Sequence, residues 1–222
     1  MVSVSKRSVL VLDGSNYVGK SEAMSPLMEV FSGATVIAHH GCYRLPVLRS
    51  LGDDAPVTDF SIRYSKVPGE TLKNTRRSHL ERLFESVRLA DACQGHDVLI
   101  ERLHPSDYVY WGMIARGCGL RNGVSDYSRL EEELNRMGAV LVMLTLSDEA
   151  LRQRMRADSR TERKGGPSEA LTPLWNSLDF NLRKRDLYEQ FYDESGMAQK
   201  MMIDTSVHCP EQVAQMIISS LR

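Results

Sequence analysis

The sequence predicts an α/β protein: a parallel sheet of about five strands, covered by helices on both faces in three layers. Three observations predict it. Short, wholly apolar runs such as Val98-Leu99-Ile100 and Ala139 to Leu144 read as strands buried on both faces. They alternate with amphipathic stretches long enough for helices. The first run, Ser8 to Asp13, passes directly into Gly14-Ser15-Asn16-Tyr17-Val18-Gly19-Lys20-Ser21, a glycine-bounded turn with helix-compatible sequence after it. Crossovers between such strands are right-handed almost by rule.

The elements follow in order. Ser21 to Phe31 reads as a helix that Pro26 kinks or stops early. Ala34 to His39 is a second strand. Residues 41–70 are broken by Pro46, Gly52, Pro56, Pro68 and Gly69 and read as an irregular insertion. Thr71 to Gln94 is a long helix with Leu80, Leu83, Phe84 and Val87 on one face. Val98 to Ile100 is a central strand. A helix from Pro105 toward Arg116 follows, and Gly117, Gly119 and Gly123 form a loop. Ser125 caps a helix to Met137. After the strand at 139–144, Ser147 caps another helix. Leu171 to Tyr192 is a long helix with Pro173 in its first turn, Lys200 to Asp204 a last strand, and Pro210 to Leu221 a closing helix.

Bulk composition narrows the class. A chain of 222 residues, 42% hydrophobic and 26% charged, is expected to form one globular domain over 1–222. A net charge of -1 gives no global attraction to nucleic acid or anionic membrane, so any basic site is local. Cys42, Cys93, Cys118 and Cys209 show no C-x-x-C spacing, which points to reduced thiols and a cytoplasmic setting. Met1 to Arg7 lacks a signal-peptide core, and no apolar run reaches the roughly 18 residues that span a bilayer, so no membrane partner is expected.

Gly14 to Ser21 matches G-x-x-x-x-G-K-[ST], the phosphate-binding P-loop, and the fold class narrows to a P-loop NTPase. Gly14, Ser15, Asn16, Tyr17, Val18 and Gly19 would wrap backbone N–H groups around the phosphates of ATP. Lys20 would neutralise the β/γ-phosphates and Ser21 would bind Mg²⁺. An ordinary glycine-rich turn is the alternative; the strand before and the helix after favour the P-loop.

In a parallel sheet, ligands sit beyond the carboxyl ends of the strands. Glu101-Arg102 follows the third strand and therefore meets the P-loop at that edge. Glu101 would organise Mg²⁺ or act as a base toward an acceptor oxygen. Arg102 would clamp a phosphoryl group with two hydrogen bonds. The plain alternative is a surface ion pair. Residues 152–170 carry Arg152, Arg154, Arg156, Arg160, Arg163 and Lys164, followed by two glycines. They read as a basic lid in which Arg156 and Arg160 are catalytic candidates, against the bland reading of a solvated helix face. His39-His40, Asp53-Asp54, Trp111 and Trp175 read as structural or solvated residues, and His104 as a weak acceptor-side candidate.

The chain resembles the thymidylate kinase family of nucleoside monophosphate kinases over most of its length. Besides the P-loop, Pro68-Gly69-Glu70-Thr71 resembles the family's turn into a long helix. Leu83-Phe84 followed by Arg88 fits a Leu-Phe-x-x-x-Arg spacing. Phe180, Arg183, Arg185 and Tyr188 fit F-x-x-R-x-R-x-x-Y. The resemblance implies that Phe84 stacks on a base and Arg88 reads the base or acceptor phosphate. It implies acceptor contacts for Ser106, Tyr110, Arg183 and Arg185, and a homodimer as an assembly the family often forms. The family's Asp-Arg pair corresponds to Glu101-Arg102; related deoxynucleoside kinases have Glu-Arg, with the Glu as base. Departures fall on the acceptor side. Asn16 stands where the family's loop carries an acid facing the acceptor sugar, Glu22 where it has Thr, and Lys66-Val67 where an arginine precedes the turn.

The reading is ATP-dependent phosphoryl transfer to a deoxypyrimidine nucleotide, dTMP or a modified deoxyuridylate. One alternative acceptor is a deoxynucleoside 5′-OH or a hydroxymethylated pyrimidine in DNA. The near-neutral charge disfavours DNA, while a basic stripe of Lys66, Lys73, Arg76 and Arg77 keeps it open. A nucleotide-dependent regulator without kinase activity is the alternative from another class.

Overall fold

The apolar runs become strands. β1 (Val9–Gly14), β3 (Val98–Glu101) and β4 (Val140–Thr145) are buried along nearly their whole length. β2 (Thr35–Ala38) and β5 (Gln199–Asp204) form the more exposed edges. The computed structural model describes residues 7–31, 33–38, 69–93, 95–118, 122–157 and 177–221. Its five strands run in the order β2-β3-β1-β4-β5, and every pairing is parallel.

Side-chain alternation divides the core into two layers. Val9, Val11, Val98, Ile100, Leu141 and Met143 face one side. Leu10, Leu12, Leu99, Val142 and Leu144 face the other. The first face is covered by α2 (Gly69–Ala92), α3 (His104–Cys118), α4 (Ser128–Arg136) and most of α6 (Leu178–Glu194). The second is covered by α1 (Lys20–Val30), α5 (Asp148–Ala157) and α7 (Pro210–Ser220). Fully buried strand residues such as Leu10 and Ile100 contribute roughly 1.5–3 kcal/mol each. The expected three-layer fold is therefore present. Among the described residues no helix is long and apolar enough to cross a membrane.

Several local expectations are corrected. α1 runs through Pro26 without stopping. Proline there lacks only the N–H that would bond one carbonyl, while Ala23, Met24 and Leu27 stay packed on the sheet. Gly117 lies inside α3 rather than in a loop. Ser125 does not cap the next helix but sits in a short 3₁₀ turn, Val124–Tyr127, and α4 begins at Ser128. α6 begins at Leu178, where Ser177 Oγ accepts from the Phe180 N–H at 3.3 Å. The Ser147 cap is as expected, accepting from the Ala150 N–H at 3.2 Å. The insertion at 41–68 and the basic stretch after Ala157, with Arg160, Arg163 and Lys164, lie outside the described residues. So do His39-His40, Asp53-Asp54 and Trp175.

Candidate active site

Because all strands are parallel, their carboxyl ends share one edge, and the glycine-bounded loop leaves β1 there. Gly14 pairs with Leu144 of β4 at φ +145°, and a Cβ on it would lie 2.3 Å from the Leu144 carbonyl oxygen. Only glycine fits. Gly19 turns the chain into α1 at φ +83°, and the first turn of α1 supplies N–H groups without intrahelical acceptors. Tyr17 also has a positive φ, 66°. Its carbonyl is held by Arg154, whose Nη1 donates to it at 2.8 Å and to Thr205 Oγ1 at 3.1 Å. Arg154 is thus a strut between the loop and the turn after β5, not a mobile lid cation.

Lys20 is buried and folds back over the loop, its Nζ donating to the carbonyls of Gly14 at 2.8 Å and Ser15 at 2.5 Å. Burial, followed by the positive charge of Arg102, pushes its pKa well below the usual lysine range, against the pull of Asp13 and Glu101. Glu101, the last residue of β3, is also buried, and Ser21 Oγ donates to its Oε1 at 3.5 Å. Two hard oxygen donors beside a phosphate cradle suit Mg²⁺, which takes few protein ligands and fills the rest with phosphate and water. Among the described residues no cluster of three or more His, Cys, Asp or Glu offers a complete metal cage.

The chain leaves β3 through Arg102 at φ 62°, its N–H donating to the Leu12 carbonyl at 3.0 Å. This left-handed turn carries the backbone across the end of β1, where Asp13 waits. Asp13 is completely buried. Its Oδ1 accepts from the Gly14 N–H at 2.8 Å and Ser106 Oγ at 2.6 Å; its Oδ2 accepts from the Leu103 and Ser106 N–H groups, both at 3.0 Å. The Tyr188 hydroxyl joins at 2.8 Å from Ser106 Oγ. Burial and then the Asp13 charge raise the Tyr188 pKa. Asp13→Ala is expected to cost about 3 kcal/mol of stability, because it leaves buried donors without an acceptor. Urea denaturation measures this, and a loss below about 1 kcal/mol would contradict the role.

Neither a protein-family model nor a curated protein matches the chain. Solved structures do. The chain is similar to the YorR protein of Bacillus subtilis in complex with phosphorylated GDP, at 16% identity and TM-score 0.55, over 96% of this chain and 95% of that one. It is similar to thymidylate kinase from Candida albicans, at 13% identity and TM-score 0.53, over 96% and 90%. It is also similar to deoxyadenosine kinase from M. mycoides with bound dATP, at 14% identity and TM-score 0.55, over 96% and 98%. The fold is that of the P-loop kinases.

Within this P-loop kinase fold, the expected acceptor residues divide. α6 does not present Arg183 and Arg185 to the loop. Arg183 is exposed. Arg185 turns to the Leu146 carbonyl at 3.3 Å and to the carboxylates of Asp148 and Asp186. The facing residues are Asn181, Lys184 and Tyr188, one helical stripe. Lys184 Nζ donates to Asn16 Oδ1 at 3.0 Å, and Asn16 Nδ2 donates to Asn181 Oδ1 at 3.4 Å. Asn16 therefore keeps company with a lysine where the family resemblance implied an acid facing a sugar.

Ser106 is occupied by Asp13 and Tyr188 and is a structural tie instead of an open acceptor contact. Tyr110 is half-buried against His79 and Trp111, with ring centroids 6.1 and 5.7 Å away. Phe84 is half-buried on the core. Arg88 is exposed and lies within one turn of Ala90 and Asp91, whose carbonyls hold the Arg7 side chain just before β1. That is the amino edge of the sheet, opposite the loop, so the structure does not bring Arg88 to the site. His104 is buried beside Glu131, Nε2 to Oε1 3.3 Å, away from the loop's partners. Arg152 and Arg156 are exposed on α5.

Sequence reasoning missed Asp13, Asn181 and Lys184. A carboxylate closing an apolar strand was the available signal for Asp13. Counting back from Tyr188 by four and seven residues would have found the other two.

Proposed function

We propose that the chain is an ATP-dependent kinase that transfers the γ-phosphoryl group to a deoxypyrimidine nucleotide, dTMP or a modified deoxyuridylate. The observation that carries the transfer is the meeting of buried Lys20 and Glu101 with Arg102 around a glycine-bounded loop at one sheet edge. Phosphoryl transfer needs positioning and charge neutralisation more than covalent help. The loop N–H groups and Lys20 hold the donor's phosphates. Ser21 and Glu101 would hold Mg²⁺, which would supply neutralisation of charge on the phosphate oxygens. Arg102 neutralises the phosphoryl group as it passes to the acceptor oxygen, and where that oxygen is a hydroxyl Glu101 takes its proton. A cleft of about 190 Å³ outside the loop, lined by Tyr17, Val18, His208 and Val213 among others, suits the donor's base.

The acceptor rests on the sequence resemblance to the thymidylate kinase family and on the likeness to a thymidylate kinase. A second reading keeps the donor half and makes the acceptor a hydroxyl, of a deoxynucleoside or of a hydroxymethylated pyrimidine free or in DNA. Glu101 in place of Asp, and the position of Arg88 away from the loop, favour it.

The test is a panel of acceptors with γ-labelled ATP: dTMP, hydroxymethyl-deoxyuridylate, deoxynucleosides, and DNA containing hydroxymethyluracil. Label on a pyrimidine monophosphate is the expected result. Label on nucleosides or DNA alone moves the assignment to the second reading. ATP bound with label on nothing overturns transfer and leaves a nucleotide-dependent regulator.

A further inference from the structure

We propose that Glu22 recognises the ribose of the donor nucleotide, accepting hydrogen bonds from its 2′- and 3′-hydroxyls and so selecting a ribonucleotide. This rests on the reading of the cleft outside the loop as the donor's site and adds a specificity-determining residue to it.

The cleft is built in the order of a nucleotide's parts. At one end its wall is the loop itself, through Tyr17, Val18 and Gly19. At the other it is the turn after β5 and the start of α7, through Thr205, His208, Pro210 and Val213. Glu22, on the first turn of α1, joins the two, because α1 leaves the loop and packs beside α7 in one core layer. A nucleoside triphosphate lays its phosphates on the loop and its base against Pro210 and Val213, and its ribose then lies between them, along Glu22. The neighbouring Ser21 donates to Glu101. Successive residues of a helix are turned by about 100°. Glu22 therefore faces away from the oxygen pair suited to Mg²⁺ and into the cleft.

The chemistry of the side chain decides what it can take there. An ionised carboxylate only accepts hydrogen bonds, and its two oxygens match the two vicinal hydroxyls of a ribose. The cations nearby are committed elsewhere. Arg154 donates to the Tyr17 carbonyl and to Thr205, and Lys20 to the Gly14 and Ser15 carbonyls. A carboxylate in the wall of a site for a polyanion works against the phosphates by repulsion. Hydroxyl donors on the same ligand offset that cost, and a ligand without them does not.

An acid in the first turn of a helix also complements the helix dipole. That role is indifferent to the sugar of a bound ligand, so sugar discrimination separates the two.

The experiment is calorimetric titration of the full chain, with Mg²⁺ and without acceptor, using ATP, 2′,3′-dideoxy-ATP and inorganic tripolyphosphate. Wild type, Glu22→Ala and Glu22→Thr are compared. Wild type is expected to bind ATP about tenfold more tightly than the dideoxy compound, and both variants to bind the two within about twofold of each other. Tripolyphosphate, which has no sugar, is expected to bind the variants at least as tightly as wild type, since the cradle is intact and a repelling charge is gone. The same ratio of ATP to dideoxy affinity in wild type and Glu22→Ala overturns the proposal and leaves Glu22 as a helix-terminal acid. Should Glu22→Ala fail to fold, the wild-type ratio in Glu22→Thr overturns it alone. A wild type that binds neither ATP nor tripolyphosphate loses the donor-site reading and this proposal with it. A wild type that binds ATP but phosphorylates nothing loses the kinase reading only, and the ratio still decides the role of Glu22.

Discussion

Lys20→Met is expected to slow phosphoryl transfer by about a thousandfold, the scale seen when one preorganised charge is removed from a phosphate or oxyanion site. The geometry explains both the size and the selectivity of the effect. The Lys20 amine already lies over the loop, anchored on the Gly14 and Ser15 carbonyls, so it loses little freedom when phosphates arrive. Methionine matches its length and removes the charge. Stability should not fall in step, because burial and Arg102 already work against the charged form of Lys20. Transfer rate and thermal midpoint are measured on the same preparation. A variant that retains transfer within about tenfold of wild type would remove Lys20 from the mechanism.

The second large effect belongs to Glu101. Glu101→Gln keeps shape and removes the negative charge, and a loss of about 10²–10⁴ in turnover is expected. Ser21 Oγ donates to the same carboxylate, so one oxygen that would ligate Mg²⁺ survives the change. Excess Mg²⁺ is therefore expected to recover part of the loss. Full recovery would confine Glu101 to the metal, and no recovery would confine it to proton transfer. Unchanged turnover would show that this buried carboxylate only closes β3.

Legibility in the sequence followed the physics of each element. β1, β3 and β4 are buried on both faces, so their composition alone marks them, and parallel pairing then forces the loop and Glu101-Arg102 to one edge. What failed were matters of height and facing. Phe84 and Arg88 share a helical face, and their spacing says so. Spacing does not say how far along the helix the sheet edge lies, and Arg88 sits by the opposite edge. In α6 the arginines drew attention, yet charge does not choose the inward stripe; the aromatic Tyr188, buried by the Asp13 network, does. Arg154 looked like a moving cation because it belongs to a basic run. Its role as a strut depends on Tyr17 and Thr205, more than 50 residues away on either side, which no local pattern encodes.

The Asp13 carboxylate has one more consequence. It fastens the start of the phosphate loop to the start of α3, and through Ser106 and Tyr188 to α6. Moving the start of α3 away would strip the carboxylate of its Leu103 and Ser106 donors together, and moving α6 away would break the Ser106–Tyr188 bond. The donor cradle and the α6 stripe thus behave as a single stiff anvil with fixed spacing. An acceptor bound at this edge would meet the loop and α6 as one tied unit, and adjustment to its size is expected from elements outside that tie.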